Sequence, residues 1–289
     1  MTAPTFGIMT APAQVGYADL HTVWREADAT PELEHAWLYD HLMPIFGDPA
    51  GPAFEGWTLL SALAARTERL RVGLLVTSNR FRPPAMLAKM AATVDAVAGG
   101  RLDFGIGVGS RPDHPLARRE YEAHGLPFVG TADAVGGFAE ACAVIRRLWT
   151  EDEPFDFDGK YVRLTGAYCN PKPVQRPGPP IVIGGRASST LRVAAEHADV
   201  WNVPGGGDIA ELAGRSALLD RYCAEIGRDP AEIVRSIHLA ASYDDPAATR
   251  DAIGAALDAG FRHFVLSVAA PYPDGVAQWV AEELVRPSR

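Results

Sequence analysis

Residues 179–201 read PPIVIGGRASSTLRVAAEHADVW and predict a strand, a helix and the start of a second strand. The short apolar run at 181–183, bounded by prolines and glycines, is typical of a buried parallel strand. Ser188 or Ser189 is suited to cap the helix that follows, and a new strand begins at Asp199. The segment is therefore one complete strand-helix-strand unit.

Two glycines separate this strand from its helix. Because Gly184 and Gly185 carry no side chains, the backbone can approach a ligand closely at this point. The free N–H groups and the positive dipole end of the helix then favour an anion such as phosphate. A lone Gly-Gly pair is also typical of a tight turn, so the phosphate interpretation depends on the rest of the chain.

The composition limits the classes of protein to consider. The 289 residues, of which 47% are hydrophobic, can bury a large core. A net charge of -9 and the lack of a basic run argue against a nucleic-acid or anionic-membrane partner. No apolar stretch approaches the ~20 residues of a membrane span, and the N-terminus does not read as a signal peptide. Three widely spaced cysteines argue against a disulfide framework or a zinc site. We expect a cytoplasmic protein with no bound metal.

Strand and helix patterns alternate eight times along the chain. The predicted strands cover residues 5–10, 35–41, 71–77, 101–109, 181–183, 199–203, 234–241 and 263–269. This alternation predicts an α/β fold, a single (β/α)8 TIM barrel over residues 1–289, with a doubly wound sheet as the alternative. Two insertions, 111–130 after strand four and 150–178 before strand five, are long enough to shape an active site or an interface.

The barrel rule places active sites at the C-terminal ends of the strands. Asp40 and His41 end the predicted second strand and so become candidates for catalysis. His35 and His263 begin their strands, where residues serve stability, and His238 lies within a strand and is expected to be structural. A lone histidine is more often structural than catalytic, and it is the position and the acidic neighbour of His41 that favour a role in the site.

The fourth strand carries alternating glycines in the run GIGVG at 105–109. The spacing differs from a dinucleotide-binding fingerprint, and no helix start follows. Alternating glycines clear one face of a strand, which suits a flat ligand lying on the backbone, although tight barrel contacts would also explain them. A phosphate site, a flat wall and a histidine at the rim together suit a flavin-like cofactor.

Several longer blocks resemble the bacterial luciferase-like monooxygenase superfamily, in particular its branch that depends on coenzyme F420. The blocks are WLYDHL at 37–42, the run from 74 to 109 beginning LLVTSNRF, YEAHGLPF at 121–128, NPKPVQRPGPPIVIGG at 170–185 and AEHADVWN at 195–202. The resemblance covers nearly the whole chain. It implies a cofactor lying across the C-terminal mouth of the barrel.

The resemblance also implies roles for individual residues. It implies that the backbone at Gly184, Gly185 and Arg186 holds the cofactor phosphate. A bulge with a non-prolyl cis peptide commonly supports the ring in such proteins, and it maps near Leu74 and Leu75. Ring contacts are implied at Thr77, Asn79, Gly107 and Val108, and the aspartate-histidine pair of the branch corresponds to Asp40 and His41, with His41 oriented by Asp40 and moving the proton.

Two positions depart from the pattern of the sugar-phosphate dehydrogenases in this branch. Ile45 stands where those enzymes carry a tryptophan, and Ser110 stands where they carry a glutamate. We expect both residues to contact substrate, and the departures argue against a sugar-phosphate substrate and a glutamate proton donor at position 110.

The resemblance predicts an F420-dependent oxidoreductase that transfers a hydride between the deazaflavin and a small organic substrate. The alternatives are an FMN-dependent monooxygenase on the same scaffold and a non-catalytic flavin- or deazaflavin-binding subunit. Superfamily members often dimerise, so a homodimer is expected.

Overall fold

The computed structural model describes residues 3–110, 114–205 and 208–289. In chain order the strands are β1 (Thr5–Thr10), β2 (His35–Leu38), β3 (Arg71–Leu74), β4 (Thr77–Ser78), β5 (Leu102–Gly107), β6 (Phe155–Asp158), β7 (Arg163–Ala167), β8 (Ile181–Gly184), β9 (Val200–Pro204), β10 (Val234–Ala240) and β11 (His263–Ser267). The helices are α1 (Tyr17–Asp28), α2 (Gly56–Ala64), α3 (Pro84–Val97), α4 (Pro115–Ala123), α5 (Thr131–Thr150), α6 (Ser188–His197), α7 (Ile209–Glu225), α8 (Pro246–Asp258) and α9 (Val276–Trp279), the last continuing as a π-helical turn, Val280–Val285.

Nine of these strands form one parallel sheet in the order β3-β2-β1-β11-β10-β9-β8-β5-β4, and an additional pairing of β3 with β5 closes it. The short β4 continues the position of β3 after a two-residue break, so the barrel has eight strand positions. Helices lie between successive strand positions of the barrel. The predicted (β/α)8 barrel is confirmed, and the doubly wound alternative is wrong because the sheet has no open edge.

The strands alternate their side chains between the two sides of the barrel wall, as the period of two requires. On β1, Phe6 and Ile8 join the large core between strands and helices, whereas Met9 joins a small interior cluster. The interior cluster consists of Met9, Trp37, Val182 and Val265. The apolar run at 181–183 is thus buried on both faces, as its composition predicts.

Glycines on two strands make room for the bulky interior side chains. A Cβ at Gly7 would lie 1.9 Å from His35 Nδ1, and a Cβ at Gly73 would lie 2.4 Å from the Trp37 ring. His35 accepts a 2.7 Å hydrogen bond from Trp37 Nε1 and stacks on His263 with ring centroids 4.0 Å apart. Burial lowers the pKa of both histidines, that of His263 to about 4. Both therefore fill the base of the barrel as neutral rings.

Both predicted insertions are present. The described part of the first, which excludes residues 111–113, contains α4, and the second contains the antiparallel hairpin of β6 and β7. Within residues 3–110, 114–205 and 208–289, every helix is too short or too polar to span a bilayer.

Candidate active site

A cavity of about 710 Å³ opens at the C-terminal ends of the barrel strands. Most of its lining residues lie at or near the C-terminal ends of β2, β3, β4, β5, β8, β9 and β10, which is the end of the barrel where active sites are found. The lining includes these predicted site residues: Asp40, His41, Leu75, Gly107, Val108, Ser110, Gly184, Gly185 and Arg186. The structure thus brings most of the predicted residues together, while their binding roles remain predictions.

The predicted phosphate site lies at one side of this cavity. Gly185 has φ +128, a conformation that side chains disfavour, and a Cβ at Gly184 would lie 2.9 Å from Val76 Cγ1. Among the described residues no side chain caps the N-terminus of α6, so the predicted cap by Ser188 or Ser189 is wrong: Ala187 is the N-cap, and Ser189 in the first turn lines the cavity. The uncapped N–H groups and the helix dipole are suited to hold a phosphate. The Arg186 guanidinium is half exposed and lies 4.0 Å from Glu211, so it is available at the rim.

Next to the predicted phosphate site, the cavity wall is a bulge between β3 and β4, which brings Val76 against Gly184. The non-prolyl cis peptide lies between Leu75 and Val76, one residue later than the resemblance implies. A Cβ at Gly105 would lie 1.9 Å from the Leu74 carbonyl oxygen, and one at Gly107 would lie 2.8 Å from Val76 Cγ2. The alternating glycines of β5 therefore make room for the bulge. Of the two explanations for the GIGVG run, tight barrel contacts account for Gly105, and Gly107 also lines the cavity.

Three of the residues with implied cofactor contacts lie behind this lining. Leu74 and Thr77 are fully buried, and the Thr77 hydroxyl accepts a 3.2 Å hydrogen bond from Trp57 Nε1. Asn79 donates its backbone N–H to the Gly107 carbonyl at 2.9 Å. Among the described residues, no group hydrogen-bonds the buried Asn79 Oδ1. A buried acceptor without a hydrogen-bond partner is rare in folded proteins.

The expectation that Asp40 orients His41 is wrong. The Asp40 carboxylate accepts hydrogen bonds of 2.6 and 3.1 Å from Arg82 and a further one from the Thr77 hydroxyl. Its side chain is fully buried. Burial would by itself lower the pKa of Arg82, but Asp40 and Glu55 outweigh it and raise that pKa. Asp40 therefore ties the segment after β4 to the end of β2 through an ion pair.

His41 is bound by a residue that the sequence did not point to, Glu120 on α4. Both Glu120 carboxylate oxygens lie 3.1 Å from His41 Nδ1, and the backbone N–H of Leu42 donates to Oε1 at 2.6 Å. The Glu120 side chain is only 1% exposed, and that of His41 is 26% exposed. The sequence carried only a weak signal for Glu120, namely its position on a helix. On a helix beginning at Pro115, Glu120 shares the buried face with Ala117 and Tyr121.

A second cavity of about 440 Å³ adjoins the first and shares His41, Gly109 and Ser110 with it. Its other lining residues are Ile45, Phe46, His114, Leu116, Ala117 and Glu120. Ile45 therefore lies in this smaller cavity, and Ser110 lies where the two meet. Residues 111–113 follow directly and are outside the described part of the chain. The smaller cavity is largely apolar, with the His41-Glu120 pair at its junction with the larger one.

Several side chains line the larger cavity without having been predicted there, among them His238 and Tyr39. His238, expected to be structural, reaches the cavity from β10, and its Nε2 contacts Ser267 Oγ at 2.5 Å. Burial lowers the pKa of His238, so the ring is neutral at neutral pH. Tyr39 lies 5.5 Å from the His41 ring, and burial together with the Glu120 carboxylate raises its pKa to about 12.

The residues present fit a flat cofactor with a phosphate group. The larger cavity offers an uncapped helix N-terminus beside two glycines, and the Leu75-Val76 bulge lies next to them. A side chain at Gly184 or Gly107 would crowd the wall between them. This donor set suits either a deazaflavin or a flavin phosphate, because both would use the same backbone N–H groups.

Comparison with known proteins finds both a family model and curated relatives that match this chain. The family model of the luciferase-like monooxygenases matches residues 4–287. A phthiodiolone/phenolphthiodiolone dimycocerosates ketoreductase of Mycobacterium sp. (strain JLS) is 31% identical over 207 residues, which is 71% of this chain and 51% of that protein. The chain spans 59% of the length of the first curated relatives that it matches.

Solved structures share the fold at low sequence identity. An F420-dependent secondary alcohol dehydrogenase in complex with an F420-acetone adduct superposes with a TM-score of 0.83, at 19% identity, over 99% of both chains. The monooxygenase RslO1 from Streptomyces bottropensis gives a TM-score of 0.75 at 21% identity, over 99% of this chain and 100% of that one. These likenesses establish the barrel fold.

Proposed function

Because the chain belongs to the luciferase-like monooxygenase family, we propose that it is a coenzyme F420-dependent oxidoreductase acting on a small organic carbonyl or alcohol. The observation that carries this proposal is the His41-Glu120 pair at the junction of two cavities. The larger cavity is suited to the cofactor, and the smaller one is large enough for a small organic molecule. The similar F420-dependent secondary alcohol dehydrogenase supports this choice of cofactor and substrate.

The chain's own residues have three tasks in this proposal. Gly184, Gly185 and the first turn of α6 bind the phosphate, and Val76 supports the ring from the bulge. When bound, the deazaflavin supplies or accepts a hydride. Interconversion of a carbonyl and an alcohol also needs one proton at the substrate oxygen. His41 would exchange that proton through Nε2, because Nδ1 is engaged by Glu120.

The smaller cavity would hold the substrate against the cofactor. Ile45, Phe46 and Leu116 offer apolar contact, and Ser110 offers a hydroxyl where the cavities meet. Holding the reacting groups together in this way lowers the entropic cost of the reaction. A homodimer remains the expected assembly.

An FMN-dependent monooxygenase is the second candidate function. The phosphate cradle would hold FMN by the same N–H groups, and the similar barrel of RslO1 belongs to a monooxygenase. In this alternative no hydride passes between the cofactor and a carbonyl or alcohol, so the His41-Glu120 pair would have no accompanying proton to transfer.

The test is turnover by the purified protein without oxygen. With a panel of secondary alcohols and F420, we expect substrate-dependent loss of oxidised deazaflavin absorbance. His41→Gln is expected to lower kcat about 10²- to 10⁴-fold, the usual contribution of a proton-transfer group. His21→Gln, on α1 away from both cavities, is the matched control and should keep wild-type kcat. Turnover that requires oxygen and reduced FMN would favour the monooxygenase, and undiminished turnover by His41→Gln would refute the proton role.

A further inference from the structure

We infer that Glu120 is the positioning residue for His41 and holds its imidazole in the tautomer with the proton on Nδ1. The contact is made by α4, which belongs to the insertion after β5 and is remote from His41 along the chain. The inference about the tautomer rests on geometry alone. Its consequence for turnover rests on the proposed function.

The hydrogen bonds around Glu120 determine which atom carries the proton. A carboxylate has only acceptors, and Leu42 N–H, which can only donate, already uses Oε1 at 2.6 Å. His41 Nδ1 lies 3.1 Å from both carboxylate oxygens, so it must donate to them. A neutral His41 therefore presents Nε2 as an acceptor, and a protonated one presents Nε2–H as a donor. Both states suit exchange with a substrate oxygen.

The insertion is anchored so that Glu120 cannot easily turn away. Next to it, the Tyr121 hydroxyl lies 3.2 Å from Ser78 Oγ on β4, and the Tyr121 ring stacks on Phe128 at 4.6 Å. The Arg80 guanidinium lies over both rings, 4.7 and 5.4 Å from their centroids, and donates to the Ser110 carbonyl at 3.3 Å. These contacts join α4 to the strand end that lines the cavity.

The burial of Glu120 supports this role over that of an ordinary surface ion pair. Its side chain is 1% exposed, whereas Glu122, two residues later on the same helix, is exposed. A buried carboxylate needs partners for its oxygens. Here the partners are the His41 ring and the Leu42 backbone, both at the mouth of the barrel.

The discriminating variant is Glu120→Gln, which keeps the shape of the side chain. Its amide oxygen would accept from Leu42 N–H, so its NH₂ group would face His41 Nδ1 as a donor. His41 would then have to carry its proton on Nε2. We expect ¹⁵N NMR of histidine-labelled protein in mildly alkaline buffer to show Nδ1–H for wild-type His41 and Nε2–H for Glu120→Gln. The His41 signals are assigned by their loss in His41→Gln.

Kinetics supply the second readout. With F420 and a turned-over substrate, Glu120→Gln is expected to lower kcat about 10²-fold with KM changed less than about threefold, because only the proton-transfer geometry is altered. The control Glu122→Gln should keep both the wild-type tautomer and the wild-type kcat.

The tautomer measurement needs no cofactor or substrate, so it separates this inference from the proposed function. Wild-type protein with Nε2–H, or a Glu120→Gln variant that keeps Nδ1–H, would overturn the inference. A kcat of Glu120→Gln that stays within twofold of wild type would also overturn the positioning role of Glu120. A switched tautomer in a protein that does not use F420 would support the role of Glu120 and overturn only the proposed function.

Discussion

The ion pair between Arg82 and Asp40 offers the sharpest prediction about stability. Arg82 donates two hydrogen bonds to the Asp40 carboxylate, at 2.6 and 3.1 Å, and the Asp40 side chain is fully buried. Replacing Arg82 by Met leaves that carboxylate buried with the Thr77 hydroxyl as its only side-chain hydrogen-bond partner among the described residues. Removing one partner of a buried pair typically costs about 3–5 kcal/mol of the free energy of unfolding.

The loss of free energy of unfolding can be measured by urea unfolding, and the shift in Tm by thermal unfolding, both followed by circular dichroism. At about 2–4 °C per kcal/mol for a chain of this size, Arg82→Met should lower Tm by about 6–20 °C. The matched control is Arg163→Met. Arg163 lies 3.1 Å from Asp158, but the two side chains are 77% and 88% exposed, so its loss should cost about 0–1 kcal/mol.

A double variant identifies the cause of the loss. Asp40→Asn combined with Arg82→Met removes the buried charge along with its partner, so it should recover much of the stability lost in Arg82→Met. A loss below about 1 kcal/mol for Arg82→Met would refute the reasoning. It would mean that Asp40 does not depend on Arg82, and it would reopen a contact between Asp40 and His41.

Three further predictions follow from glycines and histidines. Gly105→Ala should lower the free energy of unfolding by more than about 3 kcal/mol in the same urea assay, because its Cβ would lie 1.9 Å from the Leu74 carbonyl oxygen. Gly214→Ala, exposed on α7 with nothing within 4 Å of its Cβ, should instead stabilise by about 0.5–1 kcal/mol, and equal effects would contradict the account of the bulge. Burial lowers the pKa values of His197 and His263 to about 4, so the unfolded state takes up protons first as the pH falls. The stability contributed by the two neutral rings should be complete above pH 6.5 and fall towards pH 4 by about 1.4 kcal/mol per pH unit for each histidine. A Tm that does not change across this pH range would contradict their burial. Gly185→Ala should weaken F420 binding about tenfold, or ~1.4 kcal/mol, because φ +128 is unfavourable for alanine and the new Cβ would approach Thr190. An unchanged affinity in a fluorescence titration would show that Gly185 does not help to bind the phosphate.

The fold could be predicted because its signals are local. Apolar runs such as residues 181–183 alternate with helical patterns, and β1 begins and ends at the predicted residues, Thr5 and Thr10. The third strand was predicted as one continuous segment over residues 71–77. It is instead interrupted at Leu75 and Val76, because a bulge depends on the space left by glycines of a neighbouring strand.

The site was harder to predict because its contacts are distant in sequence. Asp40 and His41 are adjacent in the chain, and that adjacency favoured the prediction of a contact between them. Consecutive side chains of an extended segment, however, point in opposite directions. Asp40 turns to Arg82, and His41 turns to Glu120. The glycines of the proposed phosphate cradle, by contrast, lie within a single strand-helix unit, so local sequence was enough to place them beside the N-terminus of α6.

The most direct test of the central claim is equilibrium binding of F420 and of FMN to the purified protein, followed by fluorescence. The account predicts that F420 binds in the micromolar range and that FMN binds at least about tenfold more weakly, a difference of about 1.4 kcal/mol. Tight FMN binding without F420 binding would contradict the proposed hydride transfer and favour the monooxygenase. Binding of neither would contradict a cofactor role for the cavity at the mouth of the barrel.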